Sequence, residues 1–269
     1  MLKKMGALQV TADIIKNYKL IMNLAINDFK NRYASSNLGA IWNFVQPIVT
    51  VMIYVFVFQY GFKAVPVSDV PYVLWLVAGI IPWFFFSEAI LGATNSLLEY
   101  TYLVKKVVFK IDILPMVKIV AAIFVHGFFI FVGLLLYFIN GERFNLHIIQ
   151  IIYYSVCTVV LVVGISYFTS AVVVFFRDLG QIVNVILQFG MWLTPIMWQI
   201  EILPGKLQQL MKLNPMYYIT NGYRDAFYND VWFFEKPMQT IYFWVLVIAV
   251  YFIGTTVFKK LEKHFADVV

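Results

Sequence analysis

Charged residues are scarce in this chain: Asp, Glu, Lys and Arg make up only 13% of its 269 residues. Soluble domains carry about 25% charged residues, whereas here 62% of the residues are hydrophobic and 19% are aromatic. Cysteine is scarcer still: Cys157 stands alone, so an internal disulfide is excluded. Cys and His residues also do not cluster at the spacing of metal ligands. The composition therefore excludes a soluble domain and indicates a multispanning membrane protein.

The sequence also lacks nucleotide-binding motifs. It contains no GxxxxGK[ST] loop, no Gly-rich dinucleotide loop, and no paired aspartates of the type that glycosyltransferases use on a cytosolic domain. Residues 1–19 include lysines but neither the apolar core nor the cleavage site of a signal peptide, so we expect them to stay in the cytosol. We expect no catalytic residue in this chain, and any energy for its activity must come from elsewhere.

Long hydrophobic runs predict six membrane spans, because about 20 residues at 1.5 Å each cross the ~30 Å hydrocarbon core. We predict an all-α membrane protein with an N-terminal segment (1–40), a transmembrane domain (41–258) and a tail (259–269). Pro82 is expected to interrupt the second span. The predicted spans are residues 41–62, 72–98, 114–140, 147–176, 182–200 and 240–258.

The distribution of basic residues predicts the orientation of these spans. Fourteen of the 20 Lys and Arg residues fall on the side that holds both termini and the loop at residues 98–118. The positive-inside rule assigns that side to the cytoplasm. We therefore expect a multi-pass plasma-membrane protein with both termini in the cytoplasm.

Two basic segments have helical periodicity. Residues 12–33 place apolar side chains on one face and lysines on the other, which predicts an amphipathic helix in the membrane interface; a soluble helix packed on a partner is the alternative. Residues 98–118 combine four lysines with apolar residues at helical spacing. They predict either a short amphipathic helix presented to a partner on the cytoplasmic face, or a charged loop that only fixes topology.

The segment at residues 201–237 is too apolar for a solvated loop. Pro204, Gly205 and Pro215 divide it into two short helices, the second of which should start at Asn214–Pro215. Neither piece is long enough to span, so we expect short re-entrant external helices between spans five and six. Interfacial helices that only seal the bundle are the alternative. We expect the aromatic face of the second piece to pack against spans five and one.

Two titratable residues fall inside predicted spans. Glu88 is costly there unless it pairs or faces a cavity, and it either serves transport or is neutralised by a neighbour. His126 is either a proton relay or a packed, hydrogen-bonded histidine. The abundance of aromatic residues suits the C–H faces of sugars, although lipid and packing contacts account for such residues equally well.

Several sequence runs together resemble one family. They are DFKNRYASSNLGAIWNFVQP at residues 28–47, GIIPWFFFSEAILGATNSL at 79–97, LVKKVVFKIDILP, FFRDLGQI, and LTPIMW followed by LNPMYYITNGYRDAF. The chain resembles the permease subunits of ABC-2 type polysaccharide exporters over essentially its whole length. It is most similar to teichoic acid export permeases, with O-antigen permeases next.

The resemblance implies partners and a substrate. Two copies of a separate ATPase, which binds ATP and Mg, would join two copies of this chain, which itself holds no cofactor or metal. The substrate would be a lipid-diphosphate-linked glycopolymer, moved from the inner to the outer leaflet between the two permeases; wall teichoic acid is favoured, with O-antigen or capsular polysaccharide as the alternative. Membrane lipids, and no nucleic acid, would be the other contacts.

The resemblance also implies site residues. Lys30, Arg32 and Arg177 would bind the diphosphate, since cations are the natural partners of phosphate, or serve as plain topological anchors. Tyr217, Tyr218, Tyr223, Phe227 and Tyr228 would form an external gate that contacts sugar. The helix that couples to the ATPase would comprise Leu103, Val104, Lys105, Lys106, Val107, Val108, Phe109, Lys110 and Ile111.

Two rival functions remain open. A proton-coupled secondary carrier for lipid-linked sugars would need titratable groups such as Glu88 and His126 within the membrane. A membrane glycosyltransferase would need an acidic metal-binding site, for which Asp225, Asp230 and Glu235 form a loose external group.

Overall fold

The computed structural model describes residues 6–32, 36–63, 66–67, 70–104, 110–141 and 145–268. Within them the regular structure is helical, apart from one isolated antiparallel bridge between Val67 and Val70. The prediction of an all-α fold is therefore confirmed. The α-helices are α1 (Gly6–Lys16), α2 (Tyr18–Asn31), α3 (Trp42–Val55), α4 (Tyr72–Glu99), α5 (Thr101–Val104), α6 (Leu114–Ile139), α7 (Gln150–Val173), α8 (Leu179–Leu193), α9 (Gly205–Met211), α10 (Pro215–Arg224), α11 (Pro237–Leu261) and α12 (Phe265–Val268).

Five helical segments in the described part of the chain are long and apolar enough to cross a membrane. The predicted fifth span is shorter: it is the 15-residue α8, which ends at Leu193 rather than at residue 200. Thr194 leaves the helix in an extended conformation, because the following Pro195 disfavours helical geometry in the residue before it. The five long segments are Trp42–Gly61, Tyr72–Glu99, Ile111–Ile139, Leu146–Val173 and Pro237–His264.

Helix α4 forms the centre of the bundle. Of its most apolar 18 residues, 78% are buried, because α6 and α7 pack along it and α10 contacts its first half. Pro82 lies inside α4 without ending it, so the expected interruption at this residue is wrong. A proline removes one backbone hydrogen bond, and neighbouring helices can hold the helix together despite that loss.

Helices α7 and α11 approach each other closely through two glycines. A Cβ atom added to Gly254 would lie 2.0 Å from the backbone oxygen of Gly164. Small residues allow this kind of backbone contact between helices in membranes. We call α4, α6, α7, α10 and α11 the packed region.

The two N-terminal helices lie at one end of the bundle. The amphipathic helix predicted at residues 12–33 corresponds to two helices, α1 and α2, which meet at Asn17. Helix α1 packs on α11 and on the turn Ile111–Ile113, while α2 packs on α6. The buried side chains of α2, Ile21 and Ala25, join an apolar cluster with residues of the α6 end. We call α1, α2, the start of α6 and the end of α11 the charged end.

Helix α3 and helix α8 are poorly covered by the rest of the chain. None of the most apolar 18 residues of Trp42–Gly61 is buried, and only Asn43 of α3 is. We call the apolar surface of these two helices the open face. Its exposed members include Val49, Met52, Ile53, Ile182, Val185, Ile186, Phe189 and Trp192.

The segment between α8 and α11 forms two short helices, as predicted. Helix α10 begins at Pro215, and the side chain of Asn214 caps it by accepting a hydrogen bond of 2.9 Å from the Met216 N–H. With 7 and 10 residues, α9 and α10 are too short to cross a bilayer.

Candidate functional site

A groove of about 650 Å³ lies between α3, α4 and α8. It borders the open face, because α3 and α8 form two of its walls. Trp83 and Glu88 contribute from the buried helix α4, and Arg32 contributes from the end of α2. The volume falls in the range of about 300–1,000 Å³ that is typical of ligand sites.

The walls of the groove mix polar and apolar side chains. Asn43 is 7% exposed, and its side-chain nitrogen has no hydrogen-bond partner among the described residues. An unpaired buried amide costs free energy, so a ligand or water that accepts its hydrogen bond would be stabilised there. The other polar residues of the lining are Arg32, Gln46, Thr50, Ser87, Glu88, Asn184 and Gln188.

Arg32 lines the end of the groove next to Glu88. Its guanidinium donates a hydrogen bond to Glu88 Oε1 and lies 3.5 Å from Asp28 Oδ2. Burial acts to lower the pKa of Arg32, but the charges of Glu88 and Asp28 outweigh burial and raise it above the ordinary value. Asp28 in turn pairs with Lys118 of α6. Arg32 is therefore a fixed cation that links the N-terminal helices to the groove.

The other two predicted diphosphate ligands lie elsewhere. Lys30 is exposed on α2, and Arg177 is exposed in the turn between α7 and α8. Neither residue lines the groove. Of the three predicted ligands, Arg32 is the one that lines this groove.

The predicted coupling helix is described only at its two ends. Lys105, Lys106, Val107, Val108 and Phe109 lie outside the described residues. On one side of them, Leu103 and Val104 belong to the four-residue α5 and pack on the core, with Val104 buried. On the other side, Ile111 also packs on the core, whereas Lys110 is exposed.

Ion pairs connect the far side of this segment to the charged end. Lys110 Nζ lies 3.2 Å from Asp13 of α1. Lys259 of α11 lies 2.7 Å from Asp112 and 3.9 Å from Asp13. Although burial acts to raise the pKa of Asp13, its interactions with Asp112, Lys110 and Lys259 lower it overall. Residues beside the segment that was predicted to contact a partner are thus tied to both α1 and α11.

The predicted aromatic gate residues are buried rather than displayed. Tyr217, Tyr218, Tyr223 and Phe227 are each at most 6% exposed, and Tyr228 is half-buried. Helix α10 packs on α4, α7 and α11. The aromatic face thus fits between the helices of the packed region and not, as was expected, against span one. Toward the predicted fifth span, Asn214 contacts Thr194, and Arg224 contacts Pro195 and Ile196.

Arg224 anchors the end of α10. The guanidinium donates hydrogen bonds to the backbone oxygens of Trp75, Pro195 and Ile196 at 3.4, 2.9 and 2.8 Å. It also stacks on the ring of Trp75 at 3.5 Å. Burial lowers the pKa of Arg224 to about 9, which leaves the side chain charged at neutral pH. The sequence identified this residue only as one of several external cations.

The two titratable residues of the predicted spans have separate partners. Glu88 pairs with Arg32. His126 lies 3.0 Å from the hydroxyl of Tyr223 and 3.3 Å from that of Ser155, and its ring stacks on Phe85. These contacts favour the interpretation of a neutralised glutamate and a hydrogen-bonded packing histidine over that of a shared proton path.

The three acids that were predicted to be external do not converge on one site. Asp225 pairs with Lys236. Asp230 accepts a hydrogen bond from Asn145, and Glu235 accepts one from the Trp232 N–H at 2.9 Å. The arrangement gives no support to an acidic catalytic centre formed by these residues.

Comparisons with known proteins cover nearly the whole chain. A family model described as ABC-2 type transporter matches residues 19–228, which include the groove and α10. Two proteins of Klebsiella pneumoniae named O-antigen export system permease protein RfbA are each 28% identical over 256 residues, covering 93% of this chain and 95% of the relative. A protein of the same name from Myxococcus xanthus is 22% identical over 251 residues, covering 92% of this chain and 94% of that protein.

Proposed function

Because the chain belongs to the ABC-2 type transporter family, we propose that it is the permease of an ATP-driven exporter that moves a lipid-diphosphate-linked polysaccharide across the membrane. The family implies an ABC ATPase as partner, which would bind ATP and Mg. The names of the relatives favour an O-antigen type of polymer. Wall teichoic acid, which the sequence resemblance favoured, becomes the alternative.

The groove is the observation that carries this proposal. It offers a cation at one end, and along its length it offers amide and hydroxyl side chains next to aromatic rings. A lipid-linked polysaccharide has a diphosphate followed by sugars, and cations bind phosphate strongly. On this proposal Arg32 contacts the diphosphate, while Asn43, Gln46 and Gln188 contact sugar hydroxyl groups.

A second copy of the chain would complete the pathway. The open face is apolar, adjoins the groove and is left uncovered by the other described residues. Large exposed apolar patches mark contacts with lipid or protein. We propose that two copies meet through α3 and α8, so that the two grooves enclose one channel, with one ATPase bound to each copy.

The charged end would face the cytoplasm and the ATPase. It gathers α1, the end of α11 and the residues beside the predicted coupling segment, and positively charged segments remain inside. Since Val104 and Ile111 pack on the chain's own core, the contact with the ATPase would fall on residues 105–109. The external gate also remains a proposal, and opening it would require α10 to break the contacts of Arg224.

Surface polysaccharide is the measurement that tests the proposed function. In cells that lack the native chain, we expect export to be restored by the wild type together with its ATPase. Arg32→Gln should lower export about tenfold or more, since a hydrogen bond to a charged group contributes about 1.5–3 kcal/mol. Lys30→Gln and Arg177→Gln are matched controls with exposed cations outside the groove, and should export nearly normally.

A double variant separates phosphate binding from simple neutralisation of Glu88. Glu88→Gln alone should leave export largely intact if ATP supplies the energy. If Arg32 binds the diphosphate, Arg32→Gln/Glu88→Gln should remain as defective as Arg32→Gln. Recovery of export in the double variant would show that Arg32 only neutralises Glu88. Normal surface polysaccharide in cells without the chain would refute the proposed function itself.

A further inference from the structure

A second, polar cavity of about 420 Å³ lies at the end of the bundle opposite the charged end. Its walls are the first turns of α4, the segment that follows α8, and helix α10. We call it the α10 pocket. Its polar lining consists of Gln199, Glu201, Tyr217, Asn221, Arg224, Asp225, Asn229 and Lys236.

Four of these polar side chains make no hydrogen bond to any described residue. Tyr217 is the least exposed of the four, at 6%. It lines the pocket, and its hydroxyl has no hydrogen-bond partner among the described residues. Gln199, Glu201 and Asn221 likewise lack side-chain partners in the described part of the chain. The Tyr217 hydroxyl is not among the fully buried polar atoms, so it is open to the pocket, and this lining is suited to a ligand that supplies donors and acceptors.

The charges of the pocket point to an uncharged ligand. Arg224 and Lys236 balance Glu201 and Asp225, and both cations are already engaged: Arg224 by three backbone oxygens and Lys236 by Asp225. The carboxylate of Glu201, which has no ion-pair partner in the described part of the chain, lines the pocket and would repel a phosphate. Sugar hydroxyl groups both donate and accept, and so match amide, carboxylate and phenol side chains.

An aromatic cavity adjoins the α10 pocket. It has a volume of about 470 Å³ and shares Trp75 and Gln199 with the pocket. Aromatic rings offer flat apolar faces, which fit the C–H faces of a sugar whose hydroxyl groups turn toward the polar side. The other aromatic members of its lining are Phe58, Phe62, Tyr72 and Trp198.

The two cavities lie along the same wall as the groove. The helical segment Trp42–Gly61 and helix α4 line both the groove and the aromatic cavity. On α4 the groove is lined from Trp83 to Leu91, and the aromatic cavity is lined at Tyr72 and Trp75. A ligand that leaves the groove along α4 toward its N-terminus would therefore pass the α10 pocket.

We propose that the α10 pocket binds one uncharged sugar unit of the polymer as it leaves the groove, through hydrogen bonds to Tyr217, Asn221 and Glu201 on the edge of an aromatic wall. The proposal rests on the proposed function and adds a sugar site to it. The site acts after the groove, so that the polymer reaches it only during export.

Site-specific photo-crosslinking in exporting cells tests the proposal. A benzoylphenylalanine residue is placed at Glu201 in the α10 pocket, at Gln188 in the groove, or at Lys206 on the exposed helix α9, which lines neither cavity. Covalent products are probed with an antibody against the surface polysaccharide of the cell. We expect polymer-bearing ladders at positions 188 and 201, and none at position 206.

The outcomes separate this proposal from the proposed function. A ladder at position 188 without one at position 201, or capture of phospholipid at position 201, would overturn the sugar site and leave export standing. Ladders at neither position would refute the proposed function as well. Tyr217→Phe, which removes only a hydroxyl, should reduce the yield at position 201 about fivefold, as expected for one ordinary hydrogen bond, and leave the yield at position 188 unchanged. An unchanged yield at position 201 would exclude Tyr217 from the site.

Discussion

The packed region and the open face are both apolar, yet they differ sharply in burial. In α4, 78% of the most apolar residues are buried, compared with 0% in the segment Trp42–Gly61. Buried polar atoms without a partner among the described residues occur in both regions, at Asn43 beside the open face and at His126 and Ser166 in the packed region, so it is the burial of apolar surface that separates the two. The difference indicates that the packed region is a self-sufficient scaffold, while the open face is completed by something outside this chain.

Among the substitutions considered, removal of the Arg224 side chain should lower the stability of the packed region most. Arg224→Met would take hydrogen-bond donors from three backbone oxygens, and each buried acceptor left unpaired costs about 1–3 kcal/mol. We expect a lower thermal unfolding temperature of the detergent-solubilised protein, with α10 released to proteolysis. Arg177→Met, at an exposed arginine, is the matched control. Equal unfolding temperatures for the two variants would contradict the anchor role of Arg224.

A methyl group added between α7 and α11 should lower the stability of the packed region by an intermediate amount. In Gly254→Ala the new Cβ would meet the backbone oxygen of Gly164 at 2.0 Å, and overpacking costs about 1–3 kcal/mol. Gly127→Ala in α6 is the control, since a Cβ there meets nothing within 4 Å. Thermal unfolding should distinguish the two variants, with the control at or slightly above wild type. A stable Gly254→Ala variant would mean that the two helices can separate at little cost.

A polar substitution on the open face should affect the folded single chain least. Ile53 is 53% exposed, so Ile53→Ser should change the free energy of unfolding by no more than about 0.5 kcal/mol. If a second copy covers this face, the same change should shift the purified protein from dimer toward monomer, as measured by light scattering in detergent. Leu207→Ser, on the exposed surface of α9, is the control. An unchanged dimer would place the contact between copies away from Ile53.

The fold was largely predictable because membrane spans are a local property of the sequence. Five of the six hydrophobic runs coincide closely with helices that are long and apolar enough to span, and prolines marked the start of α10. The predicted end of the fifth span failed on a local signal, because Pro195 ends α8 early. Other expectations failed where tertiary packing or a helix break was not visible in the pattern. Pro82 remains inside a helix because its neighbours hold it, and Asn17 divides one predicted helix into two.

The candidate site was less predictable, because its partners are far apart in sequence. Arg32 was proposed from its charge and from the family resemblance, but nothing local to it indicated Glu88, which is 56 residues away. Arg224 was counted only as an external cation, although a run of polar and aromatic residues surrounds it. The aromatic residues of α10 were recognised as too apolar for water, but their burial against α4, α7 and α11 depends on packing.

The sequence by itself determined that this chain is a helical membrane protein, where its spans fall, and which family it belongs to. These properties follow from hydropathy and motif order, both of which act over short stretches of chain. Only the tertiary structure decided which cations are engaged, which polar groups lack partners and where the cavities lie. Those properties arise when helices distant in sequence pack together, because burial decides whether each charge or amide must find its partner in the protein or in a ligand.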